Sequence, residues 1–179
     1  MNTSEQYDKV IQICKDLFLK KAHDYGTSWR IMRLPSITDQ IFIKAQRIRT
    51  IQEVGESKIE DNISDEFMGI INYCIIAQMQ IKSLDDPNLD WDTEHTRTQY
   101  EDAVSSTKNL MLAKNHDYGE AWRQMRIESL TDLILMKLHR TKQIEDNNGK
   151  TLVSEGVLAN YQDMMNYAVF AMIQLGHTD

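Results

Sequence analysis

The sequence contains few residues that interrupt helices or build disulfide frameworks. Two prolines and seven glycines in 179 residues argue against a loop-rich or all-β fold. The only cysteines, Cys14 and Cys74, are interpreted as buried thiols in a reducing compartment. No apolar run approaches the roughly 20 residues that cross a bilayer, and the first residues do not have the pattern of a signal peptide. We therefore expect a cytoplasmic protein without a membrane partner.

Positive charge is also scarce. The chain has 20 lysines and arginines against 27 acidic residues, and its formal net charge is −7. Proteins that bind duplex nucleic acid normally carry a basic surface, because binding depends on the displacement of counterions. The composition therefore argues against duplex nucleic acid as a partner, but it is compatible with a small nucleotide held in a local basic pocket.

One segment of the chain occurs twice. Residues 21–33 and 114–126 share the pattern Lys-x-His-Asp-Tyr-Gly-x-x-Trp-Arg-x-Met-Arg at a constant offset of 93 residues. We interpret the chain as a first repeat over 1–84, a polar linker over 85–92 and a second repeat over 93–179. After the turn Asn147-Asn148-Gly149 the offset becomes 94, so this loop has gained one residue in the second repeat.

Apolar residues recur at three- and four-residue spacings in three segments of each repeat. This periodicity predicts helices at about 4–21, 36–54, 61–84, 93–114, 130–146 and 153–176. Gly26 is expected to end the first helix, and a helical turn is expected around Trp29. Three such helices bury little alone, so we expect the two repeats to pack about a pseudo-two-fold axis as one compact all-α unit. We expect a monomer with internal pseudo-dimer symmetry, with a homodimer as the alternative.

The repeated segment gathers aromatic and cationic side chains just beyond a helix end. Tyrosine and tryptophan can stack on a base, and lysine and arginine can hold phosphate. The predicted substrate-binding residues are therefore Lys21, Tyr25, Trp29, Arg30 and Arg33, with their copies Lys114, Tyr118, Trp122, Arg123 and Arg126. The alternative is a helix stop whose aromatic residues fix the connector to the core.

His-Asp within the repeated segment also suggests a metal-dependent phosphohydrolase of the HD type. That fold needs further histidine and aspartate ligands on other helices. The remaining histidines, His95, His139 and His177, do not repeat. We therefore interpret His23 and His116 as structural.

A second pair of cations repeats on the second helix of each unit. Lys44-x-x-Arg47 recurs as Lys137-x-x-Arg140, and residues three apart share a helix face. Apolar neighbours surround Lys44, so its stem is expected to be half buried and its charge to need a partner. The four cations are either structural ion-pair partners of an acid on the third helix or further substrate-binding residues.

The third helix of each repeat has only one of the two acids that a metal site at i and i+3 would need. Glu66 is followed by Gly69, whereas Asn160 precedes Asp163. Two carboxylates at i and i+3 form a natural Mg²⁺ platform. Glu66 and Asp163 are therefore predicted as catalytic and metal-binding residues, and Asp65 as a further metal ligand. Asp61 and Glu155 are acids that could supplement them.

These motifs resemble a known family. Lys-x-x-Asp-Tyr-Gly-x-x-Trp, Lys-x-x-Arg and a helix ending in Asp-x-x-Asn-Tyr-Ala resemble the phage and bacterial nucleotide-modification-associated domain, here in tandem. That family is similar in turn to the MazG-like nucleoside-triphosphate pyrophosphohydrolases. The resemblance implies a MazG-like helical bundle that hydrolyses (d)NTPs to the monophosphate and pyrophosphate with Mg²⁺.

The resemblance implies that the metal is held by Glu-Glu-x-x-Glu on one helix and by Glu-x-x-Asp on the next. Glu66 matches the first acid of the second motif, and Asp163 matches its last. The first motif is absent, and Lys44-x-x-Arg47 and its copy occupy its place.

Three functions are consistent with these observations. The first is a Mg²⁺-dependent (d)NTP pyrophosphohydrolase in which Glu66 and Asp163 hold one metal. The second is a nucleotide-binding or regulatory module without catalysis. The third is a purely structural helical module in which every repeated cation is paired with an acid.

Overall fold

The computed structural model of the chain describes residues 1–55, 62–152 and 155–178. Within these ranges it contains six α-helices and no strand, which confirms the predicted all-α class. The helices are α1 (Thr3–Tyr25), α2 (Leu34–Val54), α3 (Ile63–Lys82), α4 (Thr93–Tyr118), α5 (Ile127–Asp146) and α6 (Val157–Gln174). Short 3₁₀ helices at Ser28–Ile31 and Ala121–Gln124 follow α1 and α4. None of the described helices combines the length and apolarity that a bilayer crossing requires.

Local capping explains where several helices begin and end. Gly26 ends α1 as predicted, with a positive φ of 66° that glycine adopts without a Cβ penalty. The capping box of Asn2 and Glu5 starts α1, because each side chain accepts a backbone N–H of the other residue. The second helix begins before the predicted residue, since Pro35 fits a first helical turn. The predicted helix starts at Asp61 and Val153 lie outside the described residues.

The most buried helices, α3 and α6, form the centre of the bundle. Their fully buried residues include Phe67, Cys74, Met164 and Val169. The two helices run antiparallel, because Ser64 at the start of α3 lies 2.7 Å from His177 beyond the end of α6. One pair of outer helices, α2 and α5, packs on this centre and on each other, and α1 and α4 do the same.

Reciprocal contacts between the repeats establish the pseudo-two-fold axis. The Tyr7 hydroxyl donates to Asn166 Oδ1 at 2.8 Å, and its copy Tyr100 donates to Asn72 Oδ1 at 2.8 Å. The ion pairs Lys15–Glu101 and Lys108–Asp8 exchange partners in the same way. Each contact occurs twice, with the roles of the two repeats exchanged, as in the isologous interface of a two-fold dimer. The predicted packing of two three-helix repeats is confirmed.

Candidate functional site

A cleft of about 470 Å³ opens in the first repeat between α1, its connector, α2 and the start of α3. We call it the first cleft. It brings together six of the predicted site residues, namely Lys21, Tyr25, Trp29, Lys44, Asp65 and Glu66. Much of the remaining wall is apolar, with Phe18, Met32, Met68 and Ile76 among its residues.

The end of α1 determines how the aromatic residues of the first cleft are presented. Gly26 turns the chain so that Trp29 folds back onto the core, where it meets Trp91 edge-on at 5.3 Å between ring centroids. Trp29 is therefore a fixed and buried wall of the cleft. Tyr25, one residue before the turn, is 57% exposed and remains free to cover a ligand.

Tyr73 is a cleft residue that was not among the predicted site residues. It lines the first cleft from α3, and burial raises the pKa of its phenol. The sequence did contain a signal for it, because Tyr73 shares a helix face with Glu66 and Gly69 and recurs as Tyr167.

Glu66, the predicted catalytic acid, is held by the two cations of α2. Arg47 Nη1 lies 2.6 Å from Glu66 Oε1, and Lys44 Nζ lies 3.6 Å from Oε2. The carboxylate is nearly buried, so its charge requires these partners. The interpretation of Lys44 and Arg47 as ion-pair partners of an acid on the third helix is confirmed.

Gly69 makes room for this arrangement. A Cβ at this position would stand 2.7 Å from Cε of Lys44, so the lysine stem lies directly over the glycine. Lys21 lines the same cleft from α1, is exposed, and forms no ion pair with any residue in the described ranges. The first cleft therefore contains a cation without an acidic partner among the described residues.

In the second repeat an acid occupies the equivalent place. Asp163 stands where the first repeat has Gly69, and its carboxylate accepts from Lys114 Nζ at 2.7 Å and lies 3.0 Å from Lys137 Nζ. Burial by itself lowers the pKa of Lys114, but the hydrogen bond and charge of Asp163 outweigh burial, and the pKa is raised. Trp122 stacks flat on Phe170 at 4.2 Å. Lys114 and Trp122 are therefore occupied by contacts within the fold, and Tyr118 extends into solvent.

The Lys-x-x-Arg cations of the second unit line a different cleft, although Lys137 also contacts Asp163. Lys137 and Arg140 line a separate cleft of about 660 Å³ between the end of α5 and the start of α6. We call it the second cleft. It does not include Trp122 or Tyr118 among its described lining residues, so the cations and aromatic residues predicted to act together are separated in this repeat.

Arg30 links the connector to the chain between α3 and α4. It is buried, and its guanidinium donates to the carbonyl oxygens of Ser83, Asp86 and Asn88 and to the side chain of Gln80. This places the predicted ligand-binding guanidinium inside the fold, not in the first cleft.

The remaining predicted arginines also lie outside the two clefts. Arg123 donates to Thr3 Oγ1 at 2.7 Å and to Gln6 at 2.5 Å. Arg33 and Arg126 are exposed at the starts of α2 and α5 and are not among the described lining residues of either cleft. Their substrate contacts stay predictions.

The predicted Mg²⁺ site does not fit the donor set. Gln78 of α3 contacts Gln162, the neighbour of Asp163, at 3.3 Å. Glu66 lies twelve residues before Gln78, which at 1.5 Å of rise per residue separates the two acids by about 18 Å. The structure therefore does not bring Glu66 and Asp163 together at one metal ion, and a metal-binding role of either acid alone stays a prediction.

No alternative set of metal ligands replaces that pair. Among the residues that the structure describes, no group of three or more His, Cys, Asp or Glu side chains could hold a metal. The Asp65 carboxylate accepts the Asn62 N–H in the cap of α3, at 3.3 Å. His23 and His116 have side chains 90% and 88% exposed, and in the described ranges the aspartate that follows each histidine is its one ion-pair partner. Neither an HD-type centre nor a structural role for these histidines is supported.

The comparisons with known proteins identify the family. The family model described as nucleotide modification associated domain 1 matches residues 21–81 and 114–175. The chain therefore belongs to this family and carries its domain twice, as predicted. No curated protein and no solved structure matches the chain. The similarity to MazG-like pyrophosphohydrolases stays a prediction.

Proposed function

We propose that this tandem nucleotide-modification-associated protein binds a nucleotide in the first cleft. Lys21 holds the phosphate, and Tyr25 and Tyr73 cover the base against the apolar wall. The observation that carries this proposal is that Gly69 stands where the second repeat has Asp163, so that Lys21 has no ion-pair partner in the described ranges while its copy Lys114 is neutralised by Asp163. Family membership, which associates the chain with nucleotide modification, supports the same class of ligand.

The charges of the first cleft favour a nucleotide with few phosphates. Glu66 is already balanced by Lys44 and Arg47, and Asp65 adds a negative charge at the rim. A triphosphate would bring about four negative charges to a single unpaired lysine, with two carboxylates nearby. We infer that a nucleoside monophosphate is the preferred ligand.

Pyrophosphohydrolysis is not part of this proposal. The reaction predicted from the family resemblance needs a cluster of carboxylates around Mg²⁺, and Glu66 is the partner of two cations instead. Binding of a nucleotide in this cleft thus depends on lysine and aromatic side chains and requires no metal.

Calorimetric titration of the full chain with nucleoside mono- and triphosphates, in Mg²⁺ and in excess chelator, tests the proposal. We expect binding that survives chelation and is tighter for the monophosphate. Lys21→Gln should weaken it at least about tenfold, since a hydrogen bond to a charged group contributes about 1.5–3 kcal/mol. Lys20→Gln is the matched control, because Lys20 is exposed beside Lys21 but is not among the described lining residues.

Two results would contradict the proposal. The first is the absence of binding to every nucleotide tested at millimolar concentration. The second is equal affinity of the Lys20 and Lys21 variants, which would place the ligand outside the first cleft. Metal-dependent release of pyrophosphate from a triphosphate would instead support the hydrolase that the family resemblance implies.

A further inference from the structure

The second cleft has a composition different from that of the first. Its described lining includes the cations Lys137, Arg140 and Lys150, the amides Asn147 and Asn160, and a single acid, Glu155. No aromatic side chain is among these described lining residues, so the cleft offers hydrogen-bond donors and positive charge without a surface for base stacking.

The positive charge of this cleft results from one difference between the repeats. In the first repeat Glu66 holds Arg47 at 2.6 Å. The equivalent of Glu66 is Asn160, which is buried and uses its amide to donate to the carbonyl oxygen of Gly156 at 3.0 Å. Arg140 therefore has no carboxylate at the place where its copy Arg47 has one.

The charge balance of the second cleft leaves two cations for a ligand. Lys137 is already paired with Asp163 at 3.0 Å. Arg140 and Lys150 form no ion pair with any described residue, and Glu155 is the one acid on the described wall. An arginine with free donors binds a phosphate group through two parallel hydrogen bonds, and a lysine adds a compact charge.

We propose that the second cleft is a binding site for an inorganic phosphate anion, either phosphate or pyrophosphate. Arg140 binds the anion through its guanidinium, and Lys150 supplies a second positive charge. The site is separate from the first cleft and does not depend on nucleotide binding there.

The test is calorimetric titration of the full chain with phosphate and with pyrophosphate at fixed ionic strength. Arg140→Gln should weaken the tighter of the two at least about tenfold, because it removes a charge-assisted bidentate contact. The matched control is Lys142→Gln, which removes one positive charge from the same helix. Lys142 faces Asp39 at 3.4 Å and is not among the described lining residues of the second cleft.

A second variant restores the acid of the first repeat. Asn160→Glu should pair with Arg140 as Glu66 pairs with Arg47, and it should abolish anion binding if its melting curve shows a folded protein. Arg140→Gln should leave nucleotide binding in the first cleft within about twofold of the parent, which separates this site from the nucleotide proposal. No measurable binding of either anion, or equal losses in Arg140→Gln and Lys142→Gln, would overturn the inference.

Discussion

The two repeats share one set of cations but keep different acids. In the first repeat Glu66 holds Lys44 and Arg47, and in the second Asp163 holds Lys114 and Lys137. The cation that each repeat leaves without an acid is correspondingly different. Among Lys21, Lys44, Arg47 and their copies, the cation that forms no ion pair with a described residue is Lys21 in the first repeat and Arg140 in the second. Each repeat thus lacks the acid that the other keeps, and the two clefts differ for that reason although the repeats share one fold.

The contacts away from the clefts, both within each repeat and between the repeats, have not diverged in the same way. Gln80 donates to the Trp29 carbonyl, and its copy Gln174 donates to the Trp122 carbonyl at 2.8 Å. The reciprocal tyrosine–asparagine bonds are also kept on both sides. The contacts that hold the bundle together are therefore symmetric, whereas the contacts near the clefts are not.

Removal of the acid of the second repeat should have the largest effect on stability. Asp163→Ala leaves two lysines without the carboxylate that neutralises them, so we expect a loss of about 3 kcal/mol in the free energy of unfolding. This is the low end of the range for a broken buried pair, because Lys114 is half exposed. Urea denaturation followed by circular dichroism measures it.

Asp117→Ala is the control for this variant, because it removes an acid whose side chain is 76% exposed. It should change the free energy of unfolding by less than about 0.5 kcal/mol. An Asp163 variant that is no less stable than this control would show that the ion pair contributes nothing to the fold.

The next prediction makes the first repeat resemble the second. Gly69→Asp should form with Lys21 the pair that Asp163 forms with Lys114, after the flexible end of Lys44 moves away from the new Cβ. We expect nucleotide affinity to fall at least about tenfold, about 1.4 kcal/mol, because the ligand loses its cation. Calorimetry measures the affinity, and thermal melting checks the fold.

Gly69→Ala separates the effect of the new negative charge from the effect of the added side-chain volume. It adds the Cβ without the acid and should retain more of the affinity than Gly69→Asp. Equal losses in the two variants would mean that Lys44 cannot move, and that space and not charge governs the cleft.

The sequence allowed most of the fold to be predicted, because the amphipathic periodicity and the repeat determine six helices and their pairing. It also singled out Lys21, Tyr25 and Lys44, which all line the first cleft. It did not reveal that Arg30 donates to backbone carbonyls between α3 and α4. An arginine in a sequence does not show whether its side chain will contact a ligand or the protein backbone. Distances between helices, such as that between Glu66 and Asp163, depend on helix direction, which spacing along the chain does not report.

The two exposed tyrosines of the repeated segment provide a smaller test of the same comparison. Tyr25 lines the first cleft, whereas its copy Tyr118 lines neither cleft in the described part of the chain. Tyr25→Ala should weaken nucleotide binding about fivefold, about 1 kcal/mol, at the low end for stacking because the ring is more than half exposed. Tyr118→Ala should leave affinity unchanged, and a matching loss there would contradict the assignment to the first cleft.

The smallest expected effect concerns a polar contact where α2 meets α5. The Thr38 hydroxyl donates to Glu145 Oε1 at 2.8 Å, and at the equivalent place Gln52 donates to the Thr131 hydroxyl at 3.1 Å. Glu145 Oε2 is buried without a hydrogen-bond partner in the described part of the chain. Burial raises the pKa of Glu145, although the Thr38 hydrogen bond opposes the shift.

A carboxyl whose pKa is higher in the folded than in the unfolded state stabilises the fold when protonated, and this contribution is lost as pH rises through the folded pKa. Glu145→Gln should therefore raise the melting temperature at pH 7, by no more than about 2 °C because the group is partly solvated. The gain should vanish near pH 4, where wild-type Glu145 is itself protonated. Gln52→Glu should lower the melting temperature at pH 7, since it places the same charge in the other repeat. A gain from Glu145→Gln that is independent of pH would show that packing, and not the buried charge, distinguishes the two positions.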